Sequence, residues 1–89
     1  MSSFVLPAVL THAQANACVR GFQQHLRQKG AVCAVDATGL QDFDSSALAV
    51  LLDCRRQALA QGQTLRVVGL SARLQALARL YGVYEILRV

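Results

Sequence analysis

Two adjacent hydroxyls set among acids stand out in a chain with only five acidic residues: Asp42-Phe43-Asp44-Ser45-Ser46. Asp and Ser ahead of an apolar run are helix caps. A helix start presents free N–H groups and the positive end of its dipole. A phosphate on Ser45 or Ser46 would add a charge of about −1.5 to −2 without unfolding the helix. Asp42 and Asp44 would raise the local repulsion, and a partner packed over the spot would lose affinity. Ser45 and Ser46 are therefore candidate phosphorylation sites for a switch on binding. Use of either serine as a nucleophile would need a His base oriented by an acid. The two histidines, His12 and His25, both fall in a predicted first helix. There is no glycine-rich phosphate loop, G-x-S-x-G turn or H-E-x-x-H. No catalytic residue and no cofactor is assigned.

Below the serines, Ser46, Ala49, Val50, Asp53 and Gln57 recur at three- and four-residue spacing, away from the predicted core stripe. Ala49 and Val50 put apolar side chains on a face that a lone domain would make charged. With Asp44 and Ser45, this line is the expected partner-binding face. Asp53→Lys together with Val50→Asp is then expected to abolish partner capture and leave the melting temperature near wild type. The three cysteines, Cys18, Cys33 and Cys54, are odd in number and widely spaced, with no C-x-x-C. They read as small buried hydrophobes, not as metal ligands.

The elements that must position this knot follow from the pattern on either side. Phe4 to Leu10 is apolar, but Pro7 confines it to an edge strand or a bend. Thr11-His12-Ala13-Gln14 fits a capping box for a helix running to about Lys29. Its buried stripe is Ala15, Cys18, Val19, Phe22 and Leu26, with Gln14, Gln24 and Gln28 on the wet side. Gly21 lies mid-helix, and Gly30 is the expected stop. Ala31 to Val35 is continuously apolar and reads as a central strand covered on more than one side. The second helix starts near Asp44 or Ser45, buries Ala47, Leu48, Leu51, Leu52, Ala58 and Leu59, and ends at Gly62. Thr64 to Val68 is a strand. Ser71 caps a third helix with Leu74, Leu77, Ala78 and Tyr81 inward, and Gly82 stops it. Val83 to Val89 is expected to be a last short strand. Strands alternating with helices make a mostly parallel sheet.

Eighty-nine residues form one domain spanning residues 1–89. The chain is 54% hydrophobic and 16% charged, so it folds and leaves apolar surface for a partner, or for weak self-association. The net charge of +4 comes from scattered arginines with no interleaved aromatic residues, which argues against nucleic acid. The first residues lack the basic start of a signal peptide, and no stretch approaches the length of a membrane span, so a cytoplasmic location is expected.

The run from Asp36 through a loop to Phe43-Asp44-Ser45-Ser46-Ala47-Leu48-Ala49-Val50-Leu51-Leu52 resembles the signature of STAS domains. In that family an apolar strand and loop lead to Asp-Ser/Thr-Ser/Ala-Gly-Leu at a helix start. Val68-Gly69-Leu70-Ser71, with Leu74, Leu77, Leu80 and Gly82, resembles the family's last strand, helix and glycine. Ala47 departs from the pattern, standing where the family has Gly. The resemblance implies an α/β fold: a single small STAS-like domain with a mostly parallel four-stranded sheet and helices packed on it. It implies binding, not catalysis. In one branch, the STAS subunit of the Mla phospholipid ABC transporter, the functional Thr matches Ser45 and the partner is the transporter's ATPase subunit. That complex sits on the cytoplasmic face of the inner membrane. In the other branch, the anti-sigma-factor antagonists, the phosphorylatable serine matches Ser46 and the partner is a kinase-type anti-sigma factor. Leu77-Ala78-Arg79-Leu80-Tyr81-Gly82-Val83 resembles a Leu-Ala-x-Leu-Tyr stretch of the transporter subunits and favours the first branch.

Overall fold

The computed structural model describes residues 3–26 and 32–87. Pro7 shapes the first segment. The strand β1 (Ser3–Val5) continues its ladder one residue further, where the Leu6 N–H donates to the Asp36 carbonyl at 2.9 Å. Pro7 has no N–H to extend it. The chain bends and resumes as β2 (Val9–Leu10), which leads into α1 (His12–Leu26). The strand β3 (Val32–Asp36) then enters the sheet, and β4 (Asp42–Phe43) leads into α2 (Ser45–Ala60). After it come β5 (Thr64–Val68), α3 (Ala72–Leu80) and the short α4 (Tyr84–Leu87). The sheet is parallel, in the order β1-β3-β5, and β2 pairs separately with β4, also in parallel. The expected four strands in one sheet are thus three strands plus a two-stranded pair.

The register explains what is buried. Phe4, Val35 and Val67 lie in one row and face the helices. The neighbouring row, Val5, Asp36 and Val68, faces away, and Val5 and Val68 are 62% and 46% exposed. Helices therefore cover one face of the sheet; the expectation of cover on more than one side holds for Ala34 and Val35 but not for the flanking strands. The helix α1 buries Cys18, Phe22 and Leu26, as its spacing predicts. Phe22 meets the Phe4 ring edge-on, with centroids 5.4 Å apart. The helix α2 lies against both α1 and β5. Two neighbours bury a wider arc than one, so Val50 and Cys54 join Ala47, Leu48, Leu51 and Ala58 in the core. Val50 is only 2% exposed, which corrects its place on the partner-binding face. A carboxylate there would be buried without a partner, so Val50→Asp would destabilise the fold itself. Leu59 and Tyr81, expected inward, are exposed.

The end of the chain differs from the strand expected over Val83 to Val89. Gly82, at φ +73°, closes α3 by sending its own N–H to Arg79 and that of Val83 to the Ala78 carbonyl at 2.9 Å. The Val83 carbonyl then accepts from Ile86 and Leu87, which starts a helical turn. Leu87, 2% exposed, anchors that turn in the core. The expected helix stop at Gly30, the wet-side Gln28 and the final residues of that strand lie outside the described residues.

Two glycine substitutions are expected to act in opposite directions. A Cβ at Gly21 would meet the Phe4 ring at 3.5 Å, an ordinary contact. Gly21→Ala should therefore stabilise the domain by about 0.5–1 kcal/mol. At Gly69, φ is +78° and a Cβ would fall 2.1 Å from Thr38 Cγ2. Gly69→Ala should destabilise by about 2–4 kcal/mol through strain and overlap. Adding Thr38→Ser should recover part of that loss, because the Thr38 backbone N would still lie 3.1 Å away. Urea denaturation of the four proteins measures all three effects.

Candidate functional site

The loops that leave the C-terminal ends of β1, β3 and β5 are stitched side by side. The Ala37 N–H donates to the Val68 carbonyl at 2.8 Å, and the Gln41 and Asp42 N–H groups both donate to the Ala8 carbonyl at 2.9 Å. The pairing of Val9 with Asp42 and Leu10 with Phe43 then sets the starts of α1 and α2 next to each other. Asp44 joins them. One carboxylate oxygen accepts from the Ser46 N–H at 2.8 Å, and the other accepts from the His12 N–H at 3.2 Å. Each helix start carries a partial positive charge, so one carboxylate neutralises two dipole ends. The capping box at Thr11 is formed on one side only. The Gln14 Oε1 accepts from the Thr11 N–H at 3.0 Å, but the Thr11 hydroxyl donates to that same oxygen at 2.7 Å. Asp44 serves a different amide at this helix start, that of His12.

The hydrogen bond from the Ser46 amide holds the Asp44 carboxyl below the usual carboxylate range, with the His12 amide and imidazole adding to it. Asp36 is lowered by the Thr38 hydroxyl and amide, which donate to one of its oxygens at 2.6 and 2.9 Å. Both aspartates therefore tighten the loops only while ionised.

The two serines are not equivalent. Ser45 is exposed, and its hydroxyl has no hydrogen-bond partner among the described residues. Ser46 is half-buried, and its amide donates to Asp44 at 2.8 Å. Ala49, one turn below Ser45, is exposed as expected. Asp53 and Gln57 are half-buried and bonded to each other at 2.9 Å, while Asp53 also pairs with Arg56. The open line on α2 thus runs Ser45, Ala49, Asp53, Arg56, Ala60. The line expected through Ser46, Val50 and Gln57 is turned from it by about one residue, or 100°.

Phe43, quoted above only as part of the motif, and Arg73 are not among the site residues the sequence predicts. Phe43, half-buried between the two aspartates, carries the Arg73 guanidinium over its ring, 4.8 Å from the centroid. Arg73 sits in the first turn of α3, whose cap Ser71 accepts from the Leu74 N–H at 3.1 Å. A cation at the positive end of a helix is the signal that could have drawn attention to it. Cys18 is buried, which pushes its thiol up and keeps it unreactive. Among the described residues no three His, Cys, Asp or Glu side chains converge on a metal-sized site, and no helix is long and apolar enough to cross a membrane.

The sequence profile of the family described as "Mlab, STAS domain" matches residues 5–88. The chain belongs to the STAS family, whose members are protein-interaction modules. No curated protein matches it.

Asp44→Ala should remove both caps, lowering the melting temperature and speeding amide exchange at the starts of α1 and α2 together. Asp44→Asn should keep part of the effect. The pH dependence follows from the depressed native values. Stability from Asp36 and Asp44 is fully present above the unfolded value of roughly 4. It is lost as pH falls through their lower folded values. Thermal melts between pH 7 and pH 2 should show a steeper acid loss for wild type than for Asp44→Ala.

Proposed function

We propose that this domain works by binding, without catalysis, and that its partner is the ATPase subunit of a phospholipid-trafficking ABC transporter of the Mla type. In this reading it is a cytoplasmic accessory subunit that keeps the ATPase assembled and active at the inner membrane. The observation that carries the reading is the exposed, unengaged hydroxyl of Ser45 above Ala49, at the position that corresponds to the functional threonine of the transporter subunits. The profile's own description, naming Mlab, supports the same branch. The partner surface comprises Asp44, Ser45, Ser46, Ala49 and Asp53, with Gln57 at its margin. Val50 supports it from below. Phosphorylation of Ser45 would place a dianion on this surface and weaken docking. The anti-sigma branch needs Ser46 as the modified residue, and Ser46 is half-buried where Ser45 is exposed.

Isothermal titration of the chain with the ABC ATPase subunit from the same genome tests this reading. Wild type should bind. Ala49→Arg and Ser45→Glu should each weaken binding at least about tenfold, with melting temperatures near wild type. Absence of binding by wild type, or capture instead by an anti-sigma kinase that phosphorylates Ser46, would replace the reading.

A further inference from the structure

We propose that Arg73, held on the Phe43 ring, is a specificity-determining residue of the partner site and pairs with a carboxylate on the protein that covers the start of α2. This rests on the reading above that a protein docks at Ser45 and Ala49. Three observations lead to it. Arg73 stands in the first turn of α3, where the helix dipole disfavours a cation. Arg79 provides the contrast: it lies over the Tyr84 ring, 4.2 Å from the centroid, but in the last turn of the same helix, where the dipole favours it.

Second, Arg73 has no carboxylate partner among the described residues, whereas Arg56 pairs with Asp53. The nearby Asp44 has both oxygens committed to the amides of His12 and Ser46. Third, the guanidinium is restrained over Phe43, at 4.8 Å. A planar cation resting on an aromatic face loses little freedom when it takes up a bidentate carboxylate. Phe43 lies in sequence between Asp42 and Asp44, so a cation and two acids share this end of the domain. A partner surface with a carboxylate for Arg73 and basic groups for the aspartates would be held in one register by that pattern of signs. Arginine and aromatic anchors are also the residue types that dominate interface energetics.

The test is titration of the ATPase subunit with Arg73→Glu, Arg73→Ala, Arg73→Lys and Phe43→Leu chains at low and high salt. Arg73→Ala should weaken binding about tenfold and Arg73→Glu at least about thirtyfold. Arg73→Lys should fall between Arg73→Ala and wild type, because an ammonium lacks the fork. Phe43→Leu should weaken binding in the wild-type background and add little to Arg73→Ala. The salt dependence should flatten in Arg73→Ala. Replacing the partner's matching acid by lysine should rescue Arg73→Glu. Melting temperatures of the Arg73 variants should stay within a few degrees of wild type, since Arg73 is exposed and a surface cation–aromatic contact contributes little to folding. If Arg73→Glu binds like wild type while Ala49→Arg does not bind, the role of Arg73 is overturned and the docking site stands. If wild type itself does not bind, both are overturned. A lower melting temperature with unchanged affinity would make Arg73 merely structural and overturn the proposal.

Discussion

The carboxylate of Asp44 is the constraint on which this end of the molecule depends. Two helices begin side by side because β2 and β4 pair in parallel, and both then present uncapped amides in the same small volume. Two positive dipole ends so close would repel each other. A single acid placed between them satisfies an amide from each and removes the repulsion. The placement has a geometric consequence for the serines. Asp44 holds the Ser46 and His12 amides on a turn where Ser45 is exposed and Ser46 half-buried. The same residue that fastens the fold therefore fixes the helix turn on which both serines stand.

Much of this was legible in the sequence because local rules and burial agreed. The stripe Cys18, Phe22 and Leu26, the caps Asp44 and Ser71, and the helix ends at Gly62 and Gly82 are where spacing and capping chemistry place them. The failures share a cause: they depend on neighbours that a one-dimensional pattern does not contain. Val50 reads as surface if α2 packs on one side, and as core once both α1 and β5 are in place. Val83 to Leu87 has strand-like composition. Yet the hydrogen bond from Val83 to Ala78 and the burial of Leu87 turn it into a helical turn. Asp44 was recognisable as a cap for α2, but its bond to His12, 32 residues away, was not.

The departure at Ala47 fits this picture. The residue is fully buried, so its methyl group points into the core and not toward a partner. A glycine there would remove a packed methyl and loosen the helix's first turn. The substitution alters the packing beneath the Ser45 surface and leaves the surface itself unchanged. The departure from the resembled pattern at this position is in this respect an internal one.

The sheet face opposite the helices bears on the protein's behaviour at high concentration. Val5 and Val68 stand on it, and β1 and β5 each have one long side unpaired within the sheet. Such a surface is a template for edge-to-edge association. The charges set into it are Asp36, between the two valines in the same row, and Arg66, two rows along on the same face and exposed at the middle of β5. A charge in the middle of an edge strand must lose its water if another strand is added beside it. Arg66 thus acts as a gatekeeper for solubility, a task separate from anything the domain recognises.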